Sequence, residues 1–544
     1  MKRIISASAA VLAVGISLHA QSAVDMLQVT QPDFRGTARF MGMGGAFTAL
    51  GGDLSTLNQN PAGIGVYRRS EIGVTLGVDI HDSKAQGGTG NTKTRFSCNN
   101  FGYVGTANLS SDVMPVFAWG VTYNRAASFD RLTNTPYLQP TGTSLSNYIA
   151  AYTSGTESSV LGFGKDYNPY RDSDADWLSI LAYNSMLINP QDGSTNMYYG
   201  QYQPNMTVGD AGLTVRERGY TDEYTINFGG NISNVVYWGL GIGITDMDYR
   251  RDAYYTESMS GAYSYTKTAG MINDADAGFD LSNYKHIDGS GWNLSFGLIF
   301  KPIQEIRIGA AIHSPTYWSL NYEYDATVNA NYFDPQADKG PDNPTVVEEY
   351  TDFASRDWKL RSPWRFMAGV SAVLGSNAII SVDYERVAYN DMTLKYAHYD
   401  GYGYLTDYVD VPEITQDVHK YCQASNILRV GAEYRVTPKF SIRAGYNITT
   451  SNIKDDVRNG GTEIITYGTD PSFSLSKTNQ NICFGLGYRF GAFSIDGAYV
   501  YNMRKSNLFA YTDFNDGTFS SGESPKWEVT DHTSSIVLSM AYRF

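Results

Sequence analysis

Asp531 and His532, followed by Ser534 and Ser535, offer the acid, base and hydroxyl of a nucleophilic triad. They fall in a stretch of strict apolar/polar alternation, and neighbours on a strand point to opposite faces, so the three cannot simply converge. There is no HExxH zinc-protease motif and no GxSxG elbow between a strand and a helix. Met41 to Phe47 carries glycines but places Phe47 where a dinucleotide fingerprint needs Gly. The reading is of a protein that is not an enzyme and needs no cofactor.

Metal chemistry fares no better. Of seven histidines, one lies in the leader, and His81, His286, His398, His419 and His532 read as loop or interfacial residues. Only His313 stands at the inward phase of a strand, as an interior histidine with ordinary partners or as an iron ligand. Cys98, Cys422 and Cys483 are odd in number and lack paired spacing, which argues against a zinc site and leaves one disulfide of undefined pairing possible. The acidic runs Asp172, Asp174, Asp176 and Asp274, Asp276, Asp280 lack calcium-loop spacing and read as solvated loops. No metal is expected, and a formal charge of −14 excludes nucleic acid as a partner.

What positions such residues is a chain that leaves the cytoplasm. Lys2 and Arg3 precede an apolar run from Ile4 to Leu18 and then Ala20, Ser22 and Ala23, the pattern of a secretory signal peptide over residues 1–20, cleaved after Ala20 or within the next three residues. Beyond it no apolar run reaches the ~18 residues of a membrane helix. Yet aromatics make up 14% of the chain, with 42 Tyr, against only 18% charged residues, a balance suited to aromatic girdles at a bilayer interface.

The alternation supplies the membrane element. At the C-terminus Ile536, Leu538, Met540, Tyr542 and Phe544 fall on one face and Val537, Ser539, Ala541 and Arg543 on the other. The same pattern recurs from Ile72, Phe101, Phe117, Tyr224, Val236, Trp292, Ile306, Phe366, Ile380, Leu428, Phe440, Ile482 and Phe493, giving about fourteen strands, an even number as a closed bacterial barrel needs. The polar faces carry Arg307, Arg365, Asp383, Glu385, Arg429, Glu433, Arg435, Arg443, Arg489 and Asp496 among glycines, so the expected lumen is charged, internally paired and roomy. Short and long connections alternate, as periplasmic turns and extracellular loops do. The fold class is all-β: a transmembrane antiparallel barrel over residues 66–544, its largest loop about 129–219. Within that loop Asp174 is expected to cap a short helix carrying Trp177, Ile180, Leu181, Leu187 and Ile188, as a lid or as a collecting site for apolar ligands.

Residues 21–65 read as a small, partly helical plug, or hatch. Gly42 to Gly65 combines seven glycines, a helix-compatible middle from Ala46 to Leu57 and the rigid corner Asn60, Pro61, Ala62 and Gly63. Even strand parity puts both termini, and the plug, at the periplasmic mouth.

Taken together, Asp53-Leu54-Ser55-Thr56, Asn60-Pro61-Ala62-Gly63, the Lys301-Pro302 turn before Ile306-Arg307-Ile308-Gly309-Ala310, and Ser362-Pro363 resemble the FadL/TodX outer-membrane transporters of long-chain fatty acids and aromatic hydrocarbons. The loop helix is similar to the Bacteroidetes branch often labelled hemin receptors. The resemblance implies a hatch bearing Asn60, Pro61, Ala62 and Gly63, a ligand-contacting segment at Val24, Asp25, Met26 and Leu27, and a third-strand kink opening the wall sideways. The third strand, Val116 to Ala127, carries no marker that would place a kink. The implied function is passive uptake of hydrophobic molecules, with outer-membrane lipid, lipopolysaccharide and a hydrophobic small molecule as partners and any protein partner unknown. The alternatives are a scaffold or partner-binding barrel for secretion or surface-glycan export, and a heme-compound receptor.

Overall fold

Alternation along the chain builds one antiparallel sheet that closes on itself. The computed structural model describes residues 22–544 except 139–142, 204–205, 267–269, 333–344, 401–403, 461 and 514–522, so the expected leader lies outside the described residues. Among the described residues fourteen strands form the wall. They are β1 (Glu71–Ala85), β2 (Asn91–Asn108), β3 (Val116–Ser128, continued by Arg131–Asn134), β4 (Val208–Ile232), β5 (Val236–Thr266), β6 (Gly270–Phe300) and β7 (Ile306–His313, continued by Tyr317–Tyr332). The second half comprises β8 (Ala354–Arg361 and Arg365–Leu374), β9 (Ala378–Val387, continued by Thr393–Tyr399), β10 (Ser425–Arg435), β11 (Phe440–Thr449), β12 (Phe473–Phe490), β13 (Phe493–Phe509) and β14 (Lys526–Arg543). Each strand pairs with its successor, and β1 pairs with β14 from Glu71↔Arg543 to Ala85↔Val529, which leaves no free edge along the wall's closure.

The period of two decides which side of each strand meets lipid. On β5, Leu240, Ile242 and Ile244 are exposed while Gly239, Gly241 and Gly243 face inward. The same outward belt continues through Phe366 and Val370 on β8, Leu428 and Val430 on β10 and Ile482, Phe484 and Leu486 on β12. A belt of exposed large apolar side chains around a closed antiparallel wall is a membrane-spanning surface.

All fourteen alternating stretches fall on strands, and several strands run further than the apolar signal. β5 and β6 each span 31 residues because their loop-side halves are polar and project beyond the belt. For the same reason the largest connection is shorter than 129–219: β3 reaches Asn134 and β4 begins at Val208. Short turns close the opposite end; Ser233 and Asn234, both with positive φ (50° and 57°), make the tight hairpin between β4 and β5. Both ends of the wall sit there, and the Phe544 amide donates to the Ser70 carbonyl at 3.0 Å.

On the loop side three helices form a roof: α3 (Leu145–Thr153), α4 (Trp177–Asn184) and α5 (Pro412–Tyr421). α4 is capped by Asp176, which accepts from the Leu178 and Ser179 amides, rather than by Asp174. It ends at Asn184, leaving Leu187 and Ile188 beyond it. Leu178, Ile180 and Leu181 are buried with Ile149 of α3, Ile414 and Val418 of α5, and the inward aromatics Tyr255, Phe279 and Trp358. The helix is thus a packed part of a lid. Cys98, Cys422 and Cys483 are all free thiols, so the possible disulfide is not formed.

Candidate functional site

The N-terminal segment runs down the inside of the barrel. It begins under the roof as α1 (Ala23–Thr30), where the Ser22 side chain and Asp25 form a reciprocal capping box. Asp25 also accepts from Lys285 of β6 at 2.7 Å, an ion pair with both partners about nine-tenths buried. Met26 and Leu27 pack in the roof cluster. Val24, Asp25, Met26 and Leu27, the residues expected to touch ligand, lie against protein just above a cavity lined from Val29 to Pro32.

Further down, α2 (Ala38–Gly42) leads into the glycine-rich stretch. The middle expected to be helical is not an α-helix. Gly44 and Gly45 (φ 64° and 74°) and Gly51 and Gly52 (φ 65° and 70°) turn the chain at both ends of it, and short 3₁₀ turns follow at Leu54–Asn58 and Pro61–Val66. Asn60 caps the second turn by accepting from the Ala62 amide at 3.0 Å, and its own amide donates to the Thr48 carbonyl at 2.6 Å. Pro61 sits at the first position of that turn and Gly63 lies against Thr56 and Gly51. The wall glycines make room for this backbone: a methyl group at Gly239 would strike Pro61, at Gly309 Thr48, at Gly431 Met43 and at Gly445 Gly44.

The interior charges join the segment to the wall. Glu433 accepts from Arg39 of α2 at 3.0 Å and from Arg443 at 2.6 Å, and Arg443 reaches on to Asp496 at 2.7 Å. Asp383 accepts from the Thr48 amide at 2.7 Å, and Arg307 donates to the Leu50 carbonyl at 2.7 Å. Glu385 is shared between Arg365 and Arg429. Arg435 and Arg489 keep the inward phase but lie exposed at the turn-side rim, where the strands run past the packed lumen.

The His313 ring is held by the segment: its Nε2 lies 2.9 Å from the Gln59 carbonyl oxygen, which commits that nitrogen to the protein. His81, read from sequence as loop or interfacial, is inward on β1 because that strand extends to Ala85; its Nδ1 contacts Thr533 at 2.8 Å. The Asp531 cluster divides as alternation requires. Ser535 contacts Asp79 at 2.5 Å inside, whereas His532 pairs with Tyr501 at 2.7 Å.

Between roof and glycine-rich stretch lies a cavity of about 160 Å³. Val29, Pro32, Trp318, Val387 and Ile427 give it apolar walls, and Thr221, Glu223, Asn293, Asn479 and Arg504 give it polar ones. Ala126 and Ala127 of β3 complete it, and here sequence reading missed a structural feature. The β3–β4 register shifts between Arg125 and Ala127, a bulge, and β2–β3 pairing stops at Asn100↔Asn124. Above that point β3 turns inside the wall, where Thr133 meets the inward Ser83 of β1 at 2.9 Å. Asp33 holds the bulge from within, its amide donating to the Ala126 carbonyl at 2.8 Å and its carboxylate accepting from the Ser128 amide at 2.9 Å. The unpaired stretch of wall is bridged by Arg95 of β2, which reaches Asp130 and Ser128, and Arg35 of the N-terminal segment holds Asn99 of β2 from inside.

A closed barrel with a lipid-facing belt, a charged lumen and its own N-terminal segment packed inside is a transmembrane β-barrel of the bacterial outer-membrane type. Its fold is that of a FadL homologue from Pseudomonas aeruginosa, with which it shares 14% sequence identity over 95% of this chain and 100% of that one, at a TM-score of 0.50. The toluene transporter TodX of Pseudomonas putida aligns over 95% of this chain and 100% of its own, with 13% identity and a TM-score of 0.45. No protein-family model and no curated protein matches the sequence.

Proposed function

We propose that this protein is an outer-membrane channel for passive uptake of hydrophobic molecules, which leave sideways through the wall between β2 and β3. The observation that carries this reading is the bulged β3, held inward by Asp33 beside a cavity with apolar walls. A greasy molecule gains little from a polar channel, whereas a lateral gap delivers it to hydrocarbon. The fold shared with a FadL homologue supports the reading. On it, residues 21–65 are the hatch, Asn60 to Gly63 its wall-anchoring corner, and the C-terminus is periplasmic, while the N-terminal α1 lies inside the barrel under the loop-side roof rather than at the periplasmic mouth.

Deleting Ala126 would restore the register of β3 and close the gap. In cells lacking the native gene, the deletion variant should take up labelled toluene or oleate several-fold more slowly than wild type, while remaining a heat-modifiable folded barrel. Equal uptake by wild type, deletion variant and empty vector would refute the reading.

A further inference from the structure

We infer that the cavity beneath α1 takes a ring-sized organic anion, a monocyclic aromatic acid with hydrogen-bonding substituents, and that Arg504 is the residue that holds its carboxylate. The inference rests on the uptake reading and narrows its substrate class. Arg504 faces inward on β13 and lines both the 160 Å³ cavity and a smaller one of about 80 Å³ beside it. Among the described residues its guanidinium has no hydrogen bond and no ion pair.

None of the carboxylates around it forms an ion pair with its guanidinium. Asp531, opposite Arg504 in the β13–β14 register, lies 3.8 Å from His81. Asp33 is shared by Arg35 and Arg131, and Glu217 accepts from Gln28 at 2.9 Å and Tyr249 at 2.8 Å. Five basic side chains face four carboxylates around the smaller cavity, and Lys93 there also has no anionic partner. A cation left without an anion in a confined lumen favours an anionic occupant, and a guanidinium fork matches a carboxylate bidentately.

Size and lining set the rest. A cavity of about 150 Å³ holds one benzene ring, close to the volume here, and Trp318, Val29 and Ile427 supply the apolar walls. Thr221 and the Glu223 carboxylate, the latter held by Asn58 and Asn293, offer polar contacts that a bare hydrocarbon would leave unused.

The test uses the full-length protein purified in detergent, with calorimetric titration of 4-hydroxybenzoate, its uncharged amide 4-hydroxybenzamide, toluene and oleate. Wild type should bind the acid at least tenfold more tightly than the amide. Arg504→Met should abolish that preference while changing amide affinity less than threefold, and Arg504→Lys should retain part of it. Equal binding of acid and amide, an unchanged preference in Arg504→Met, or a tenfold preference for toluene or oleate over the acid each overturns the inference. In those cases continued uptake of toluene or oleate by cells leaves the channel reading standing; loss of all uptake removes both.

Discussion

The Asp33 carboxylate accepts from the Ser128 amide at 2.9 Å across 95 residues of sequence, and the Asp33 amide returns a bond to Ala126. One residue of the N-terminal segment thus closes both sides of the β3 bulge. Removing the carboxylate leaves the Ser128 amide without its acceptor and frees Arg131 and Arg35 from a shared anion. A hydrogen bond to a charged group is worth roughly 1.5–3 kcal/mol. Asp33→Ala should raise amide exchange at Ala126 to Ser128 by at least tenfold, with the lipid-belt strands unchanged, as read by mass spectrometry of the detergent-solubilised protein.

Gly445 of β11 faces the backbone of Met43 and Gly44, so a side chain there meets peptide groups that cannot rotate away. Overpacking of this kind costs roughly 1–3 kcal/mol. Gly445→Val should dislodge the glycine-rich stretch and expose Met41 to Gly65 to protease, while the barrel keeps its heat-modifiable mobility. Gly491→Asn, at a turn with nothing within 4 Å and a φ of 61° that Asn tolerates, provides the comparison for a substitution outside the lumen.

The wall was legible because lipid on one side and a packed lumen on the other impose a period of two, as at Leu240, Gly241 and Ile242. The glycine phase announced a close backbone inside. Three things were not legible. The β3 bulge falls at an ordinary Ala126 and is set by Asp33, distant in sequence, so no local residue type marks it. Arg435 and Arg489 share the phase of Arg429 and Arg443, and phase does not report height along the barrel. Asp174 and Asp176 are equivalent as helix caps until backbone angles select one. Arg504, in turn, stands in a polar stretch beyond the apolar alternation, where phase carries no signal.

Lys285 and Asp25 anchor α1 to β6, and each leaves the other as a buried unpaired charge when removed. Breaking such a pair from one side costs roughly 3–5 kcal/mol, whereas removing both partners costs far less. Lys285→Met should therefore undock α1, seen as faster exchange over Ala23 to Thr30. The double variant Asp25→Asn with Lys285→Met should recover most of the protection.

Glu257 lies on the loop-side half of β5, beyond the membrane belt, and accepts from the Ser144 hydroxyl at 2.9 Å and the Leu145 amide at 3.3 Å at the start of α3. Burial pushes its carboxyl up to about 8. The folded roof therefore binds this proton more tightly than the unfolded chain does. The stabilisation is fully present below the ordinary carboxyl range near 4.5 and is lost as pH rises through about 8. Over that span it amounts to roughly 4–5 kcal/mol at about 1.4 kcal/mol per unit. Exchange over Leu145 to Thr153, corrected for the intrinsic base-catalysed rate, should accelerate between pH 6 and about 9. Glu257→Gln cannot ionise, so it should hold the helix protected across the same range, and equal acceleration in both proteins would assign the change to another group.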